Sequence, residues 1–276
     1  MINGVRNFKL INGNGTELDL TRAGFLLWKP DGLGWGITPT VTAVGSSYIV
    51  TDTTLERPRP TGSMVFASYA AYQQFLSFVQ VGGIVLAYKP LNTWYYLDCT
   101  VVIDKSEIKP ENDRLVCPVD FHGTSQWYEK LTASAIAVEI DNDAKVYPYK
   151  YQYRYSSGVT GSIEVQNGNL SSYFKLAIMG AVDNPVYTLY QGGVQIASGK
   201  INVSIPAGRK LVIDTHPATM QIAEYTTANV LVGDRYANSD FTTERLFALP
   251  AGLSTIQVND DSGAVASAFV EVRKRV

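Results

Sequence analysis

Histidine and cysteine have the widest catalytic range of all side chains, and this sequence contains few of them. It has two histidines, His122 and His216, and two cysteines, Cys99 and Cys117. A Ser-His-Asp triad needs a histidine that contacts a carboxylate and a nucleophile, and no Gly-x-Ser-x-Gly motif marks such a serine. A structural zinc site needs four ligands, which the Cys and His residues at these spacings do not supply. The sequence therefore predicts no catalytic residue, no metal site and no cofactor.

Carboxylates are more numerous, but their spacing matches no ligand loop. Asp141, Asn142 and Asp143 begin like a calcium loop, yet Lys145 stands where an oxygen ligand belongs. The glycine and the distal glutamate of such a loop are also missing, so we reject it. A carboxylate pair that hydrolyses a glycosidic bond stays open, because such residues meet only in the folded chain.

Five tyrosines alternate with other residues in one short segment, at positions Tyr147, Tyr149, Tyr151, Tyr153 and Tyr155. In a β-strand, a period of two places all five rings on one face. Two interpretations stay open. The rings form a packing face with their hydroxyls at its edge, or they form a surface for protein docking or sugar stacking, since rigid amphipathic rings suit recognition.

The composition is typical of a folded chain without a strongly charged partner. Of 276 residues, 46% are hydrophobic and 17% are charged, and the net charge is −2. Nucleic-acid clamps need many phosphate-neutralising side chains, so we expect no specific nucleic-acid binding. Apolar runs are too short for a bilayer, and the first residues lack the apolar core of an export signal. The two cysteines are interpreted as buried thiols, with a cross-strand disulfide as the alternative.

Short alternating apolar runs, separated by Gly, Pro, Asn and Asp, predict a mainly β fold. The strands predicted in the first half are residues 5–11 and 16–28 joined by an Asn-Gly turn, 47–56, 84–88, and a long hairpin of 94–103 and 114–121. Residues 57–60, Arg-Pro-Arg-Pro, must be an extended or edge segment, because proline donates no ladder hydrogen bond.

One helix is predicted over residues 69–80, with Ser68 as its N-cap and Gly82 or Gly83 as its stop. Apolar side chains recur along it at helical spacing, which favours packing against a sheet. This stripe consists of Tyr69, Tyr72, Phe75, Leu76 and Val79.

The character of the sequence changes around residues 139–149, where we place a domain boundary between residues 143 and 144. Residues 1–143 are predicted to form a β-rich domain with one packed helix and a long hairpin. Residues 144–276 are predicted to form an antiparallel β-sandwich. Its predicted strands beyond the tyrosine segment are 174–178, 186–190, 194–197, 201–205, 210–214, 219–225, 229–232, 246–249, 255–258 and 265–272.

The order of features in the first half resembles the distal tail proteins (Dit) of long-tailed, non-contractile bacteriophages. The features that carry this resemblance are Phe8-Lys9-Leu10-Ile11, Gly32-Leu33-Gly34, Thr61 to Phe66 before the aromatic helix, Leu86 to Pro90, Tyr96 to Val101, Asp104 to Ile108, and Leu115 to Phe121 closing on Ser125-Gln126-Trp127. The second half is similar to the galectin-like sandwich of that family, including the late Leu249-Pro250-Ala251-Gly252 turn.

The resemblance implies a structural role in the tail tip, or baseplate, of a virion. The first domain would form a ring of six subunits that continues the tail tube and whose lumen lets DNA pass. The resemblance also implies docking to a tail-associated hub protein and to receptor-binding proteins, with assembly in the host cytoplasm. It implies no catalytic residues. Because β edges are natural joining surfaces, we expect the hairpin 94–121 and the strands within 5–28 to join the subunits.

Two other functions stay open at this point. A carbohydrate-binding module would use the galectin-like half and the tyrosine face. A glycan hydrolase would need two carboxylates that point into one cleft.

Overall fold

The computed structural model describes residues 6–22, 24–34, 36–104, 109–111, 114–135 and 162–275. They divide into two compact units, one ending at Glu129 and the other covering Lys130–Arg275. The predicted boundary between residues 143 and 144 lies outside the described residues and stays a prediction. The prediction of a mainly β fold with one packed helix is confirmed.

The first unit consists of antiparallel strands and one α-helix. Its elements are β1 (Asn7–Ile11), β2 (Glu17–Asp19), β3 (Thr21–Arg22), β4 (Phe25–Asp31), β5 (Ile37–Val44), β6 (Ser47–Leu55), β7 (Thr61–Phe66), α1 (Tyr69–Gln80), β8 (Val85–Lys89), β9 (Tyr95–Ile103), β10 (Lys109–Glu111) and β11 (Arg114–Gly123). Strands β9, β11, β7, β4 and β3 lie side by side in that order, and β2, β1, β8 and β9 form a second run. Strand β12 (Tyr128–Ala135) crosses the division between the units.

The core of the first unit lies where α1 packs against these strands. Tyr72 and Phe75 of the helix are buried, and both rings meet Phe66 of β7 at centroid distances of 5.4 Å. Ser68 caps the helix as predicted, with its hydroxyl accepting a hydrogen bond from the Ala71 amide. The predicted packing stripe is wrong at Tyr69, whose side chain is 63% exposed. As the first helical residue, it lies at the end of the stripe rather than over the sheet.

The long hairpin of β9 and β11 follows the predicted alternation. The two strands pair antiparallel, with Val119 opposite Ile103 and Phe121 opposite Val101. Val119 and Phe121 point into the core together with Cys117. Period-two alternation is sufficient to predict these two strands, because one face of their sheet is buried.

The single strand predicted over residues 16–28 is wrong in detail, because this stretch forms β2, β3 and the start of β4. The chain bends where the Asp19 carboxylate accepts hydrogen bonds from the amide and hydroxyl of Thr21. It turns again at Gly24, whose φ of 123° is a conformation that disfavours residues with a side chain.

The second unit consists of two antiparallel sheets and a separate antiparallel pair of two-residue strands. Its strands are β13 (Ser162–Gln166), β14 (Phe174–Met179), β15 (Val182–Asp183), β16 (Val186–Gln191), β17 (Val194–Lys200), β18 (Ser204–Ile205), β19 (Arg209–Asp214), β20 (Gln221–Thr226), β21 (Leu231–Asp234), β22 (Leu253–Asn259) and β23 (Ala268–Arg275). One sheet has the order β13, β22, β16, β17, and the larger sheet contains β21, β20, β19, β14 and β23. A short 3₁₀ helix spans Tyr236–Asn238.

One core fills the space between these two sheets, as in a β-sandwich. Ile163, Leu189 and Ile256 of the smaller sheet contribute to the same buried cluster as Leu176 and Ile213 of the larger sheet. The predicted sandwich is therefore confirmed. Alternation along every strand sends one set of side chains into this core and leaves the other set on an outer face.

Two strand predictions for the second unit are wrong, and two strands are absent from the prediction. Residues 246–249 form no strand, because Leu249 makes only an isolated bridge to Ser172. Of residues 201–205, only Ser204 and Ile205 are in a strand. Strands β13 and β15 are absent from the prediction, although the alternation of Ser-Ile-Glu-Val-Gln in β13 is a strand pattern.

Candidate functional site

The most conspicuous surface among the described residues is not one that the sequence predicted. Tyr147, Tyr149, Tyr151, Tyr153 and Tyr155 lie outside the described residues, so the docking or sugar-binding face stays a prediction. The hairpin 94–121 offers little free edge for joining subunits. β9 is paired with β8 and β11, and β11 is paired with β9, β7 and β10. β1 is likewise flanked by β2 and β8.

The feature that stands out instead is a hairpin of residues 37–55, formed by β5 and β6 and called here the exposed hairpin. The two strands pair from Ile37 with Leu55 to Val44 with Ser47, around a two-residue turn that begins with Gly45 at a φ of 63°. Every residue of both strands is exposed. The hairpin therefore contributes nothing to the core of its own chain.

The two faces of the exposed hairpin differ in chemistry. Residues that face each other across an antiparallel pair share one side of the ribbon. One face carries the pairs Ile37–Leu55, Pro39–Thr53, Val41–Val50 and Ala43–Tyr48. The opposite face, called here the threonine face, is more polar: four of its eight residues are threonine, in the pairs Thr38–Thr54, Thr40–Asp52, Thr42–Ile49 and Val44–Ser47. The ribbon is thus amphipathic, with its apolar face uncovered.

An uncovered apolar ribbon is costly in water. Tyr48 is 80% exposed, Val50 57% and Ile37 50%. Burying one such side chain fully contributes roughly 1.5–3 kcal/mol, and a two-stranded hairpin alone is marginally stable. Exposed edges are commonly protected by charged residues, yet Asp52 is the single charged residue of positions 37–55. These properties make the apolar face of the exposed hairpin a candidate contact surface.

The base of the exposed hairpin is held firmly to the first unit. The Glu56 amide donates to the Gly36 carbonyl at 2.8 Å, closing the ribbon. The following segment, residues 57–60, runs beside β11 in extended form, as predicted. Its Pro58 and Pro60 carbonyls accept hydrogen bonds from the amides of Gly123 and Phe121 at 2.9 and 2.8 Å. The sheet therefore fixes the root from which the ribbon projects.

An ion cluster reinforces this root. Arg59 donates from Nε to Asp120 Oδ2 at 2.8 Å and also binds it through Nη2, and His122 Nε2 lies 3.2 Å from the same oxygen. Hydrogen bonding from Arg59 holds the pKa of Asp120 below its usual range. The carboxylate is therefore ionised at neutral pH and anchors the segment to β11.

The remaining reactive side chains occupy structural positions. Cys99 and Cys117 are free and buried, in agreement with the interpretation as buried thiols and against the disulfide alternative. Burial raises the pKa of Cys99 to about 12 and that of Cys117 to about 11. Among the described residues, no three His, Cys, Asp or Glu side chains converge as metal ligands. No helix within the described ranges has the length and hydropathy of a membrane span.

Sequence reasoning missed half of the exposed hairpin, although a signal for it exists. The predicted strand covers only residues 47–56, while residues 37–44 alternate Thr with Ile, Pro, Val and Ala up to the Gly45 turn. Threonine has a high β propensity, and an apolar–threonine alternation before a glycine turn is a hairpin pattern.

Comparison with known families finds a likeness for the first unit. Residues 7–124 match the family model described as the N-terminal domain of distal tail proteins. No curated protein sequence matches the chain significantly. The matched residues lie in the first unit, which is similar to the N-terminal domain of distal tail proteins.

Solved structures extend the likeness over almost the whole chain. A chain of the activated phage p2 baseplate with Sr has a TM-score of 0.74 and 13% identity, covering 99% of both chains. The same baseplate with Ca gives a TM-score of 0.73, again with 13% identity and 99% coverage of both chains. The Dit protein of phage SPP1 has a TM-score of 0.58 and 10% identity, covering 98% of this chain and 99% of that one. At these identities the likeness concerns the fold.

Proposed function

We propose that this chain is a structural component of a phage tail tip or baseplate, where it forms a closed ring rather than catalysing a reaction. The ring contains six copies and joins the tail tube to the tail-associated hub protein and the receptor-binding proteins. It acts in the virion after assembly in the host cytoplasm. Its lumen passes DNA without binding it specifically.

The match of residues 7–124 to the N-terminal domain of distal tail proteins supports this role, as does the fold shared with chains of the phage p2 baseplate and of phage SPP1 Dit. The SPP1 protein has been described as a paradigm of the hub adsorption apparatus in phages that infect Gram-positive hosts. Copies of one chain joined head to tail close into a ring when the rotation between neighbours permits.

The observation that carries the proposal is the exposed hairpin. It is rooted in the first unit by the Arg59–Asp120 cluster and presents an apolar face that its own chain does not cover. In a ring, this face would lie against the first unit of the neighbouring copy. Each copy would donate one hairpin and receive one, so no apolar ribbon would remain in water.

Native mass spectrometry and light scattering of the purified chain test the proposal. We expect the wild-type chain to form one closed oligomer of six copies. The double substitution V41D/V50D places two carboxylates on the apolar face, and we expect it to shift the chain to monomers. Because neither position belongs to the core, the melting temperature of the monomer should stay within about 3 °C of that of a monomeric wild-type sample.

The matched control is T42D/T54D, which adds the same charge to the threonine face at exposed positions of the same ribbon that do not pair with Asp52. This variant should still assemble. The proposal fails if the wild-type chain stays monomeric at all concentrations, or if both double variants assemble as the wild type does.

A further inference from the structure

The outer face of the larger sheet in the second unit contains a cavity of about 590 Å³, called here the outer-face groove. Small-molecule sites commonly have volumes of roughly 300–1,000 Å³. The floor of the groove is Ala177 of β14 and Val212 of β19, which lie directly opposite each other in the sheet. The side chains at these two positions are smaller than those around them, and this difference in length creates a depression in the outer face of the sheet.

One wall of the groove is an exposed aromatic ring. Phe269 of β23 is the cross-strand neighbour of Ala177 and is 47% exposed. Tyr225 of β20 lines the opposite side. An aromatic wall and a small apolar floor provide a surface for the C–H face of a flat, partly apolar ligand.

The polar groups around the groove are already oriented. Lys210 donates from Nζ to Asn229 Oδ1 at 2.6 Å, and the Tyr225 hydroxyl donates to Gln221 Oε1 at 3.0 Å. The ammonium of Lys210 keeps two further protons, the Asn229 amide nitrogen keeps its own, and the Tyr225 oxygen can still accept. Groups held in place before binding lose less conformational entropy when a ligand arrives.

The charged residues that line the groove, Lys175, Lys210 and Glu271, supply both donors and an acceptor for a ligand with many hydroxyls. Lys175 of β14 lies directly opposite Glu271 of β23, so a cationic donor and an anionic acceptor stand side by side. A phosphate or carboxylate ligand would meet repulsion from Glu271, whereas a hydroxyl can accept from Lys175 and donate to Glu271 at once. Thr132 and Ser134 of β12 add two more hydroxyl groups to the lining.

A second cavity of about 190 Å³ shares Lys175 and Glu271 with the first and is also lined by His216 and Arg273. The two depressions together suit a ligand of more than one ring. Glu271 is the one carboxylate among the described residues that line the larger cavity, and the smaller cavity adds Asp214. The Asp214 carboxylate in the smaller cavity accepts from the His216 amide and the Thr219 hydroxyl.

We infer that the outer-face groove is a binding site for a neutral oligosaccharide, with Phe269 packing on a sugar ring and Lys175, Lys210 and Glu271 binding its hydroxyls. This site uses residues of the second unit alone and does not depend on ring formation. A tail-tip protein with such a site would contact surface glycans directly.

An array of oligosaccharides probed with the full-length chain tests this inference. The array carries neutral hexose, deoxyhexose and N-acetylhexosamine oligomers beside sialylated and phosphorylated ones. We expect binding to neutral members, followed by calorimetric titration with the strongest of them. F269A should weaken that binding about tenfold, and A177L, which fills the floor, should abolish it.

The matched control is F241A, which removes another exposed phenyl ring (59% exposed) that does not line the groove. Its affinity should stay within about twofold of wild type. Phe269 is exposed, so its loss should leave the fold intact, and thermal melting of each variant checks this. Three results would overturn the inference: no neutral glycan bound, a preference for acidic glycans, or unchanged affinity in F269A. Native mass spectrometry of each variant shows whether it still assembles, so a loss of glycan binding can be distinguished from a loss of ring assembly.

Discussion

At the scale of single residues, the carboxylate of Glu224 is a buried charge in the second unit. Its side chain is 1% exposed, and it accepts from Arg209 Nη1 at 2.8 Å and from Arg235 Nε at 3.0 Å. The hydrogen bond from Arg209 is the main reason why the pKa of Glu224 lies below its usual value. Two arginines thus offset the cost of burying one charge.

This pKa shift predicts acid sensitivity. A carboxyl group with a lower pKa in the folded than in the unfolded state stabilises the fold above its unfolded pKa, and this contribution is lost as the pH falls through the folded pKa. We expect the free energy of unfolding in urea to decrease from about pH 5 downward. E224Q should lower the free energy of unfolding by about 1–2 kcal/mol at pH 7 and should make that free energy depend less on pH. E164Q, at an exposed position of β13, serves as the control, and an equal pH dependence in both variants would contradict the assignment.

A second residue-scale prediction concerns the packing of Tyr187 against Gly199. A Cβ added to Gly199 would lie 2.4 Å from the Tyr187 hydroxyl oxygen. Tyr187 is fully buried and its hydroxyl donates to the Arg245 carbonyl, so the ring cannot move aside. G199A should therefore destabilise the second unit by about 1–3 kcal/mol, measured by urea unfolding. G233A is the matched control, because its Cβ would meet nothing within 4 Å; comparable losses in both variants would argue against the contact.

At the scale of elements, the exposed hairpin and the β9–β11 hairpin show how differently one pattern can be used. Both have period-two alternation with apolar residues in register across the strands. The β9–β11 pair buries Leu97 and Phe121 completely, whereas all residues of the exposed hairpin remain in solvent. The difference lies in what covers each apolar face.

This contrast predicts different hydrogen-exchange rates. At concentrations where the chain is monomeric, amides of the exposed hairpin should exchange about a hundredfold faster than those of β9 and β11, because few packed contacts resist local opening. In the assembled oligomer they should become protected. Hydrogen exchange with mass spectrometry measures both states, and strong protection of the hairpin in the dilute monomer would show that its apolar face is covered within the chain.

At the scale of the whole molecule, the two cysteines report on the integrity of the first unit. Cys99 and Cys117 are both buried in its core, and burial raises the pKa of each thiol far above neutrality. The thiolate is the reactive form, so the native protein should resist labelling. We expect neither thiol to react with a maleimide at about pH 7.5 under native conditions and both to react in denaturant.

The labelling rate should follow unfolding of the first unit and not of the second. V41D/V50D, which alters only the exposed hairpin, should leave the thiols protected. Rapid native labelling of either cysteine would contradict the buried positions.

The sequence by itself determined the β-rich class, the capped helix, the long hairpin and the second-unit sandwich. Each of these depends on short-range periodicity and turn chemistry, as at Ser68 and the paired faces of β9 and β11. Only the tertiary structure decided which apolar faces stay uncovered, that Tyr69 lies in solvent, and that Lys175 and Glu271 meet across two strands. Alternation specifies that a strand has an apolar face, but pairing between residues distant in sequence decides what covers it.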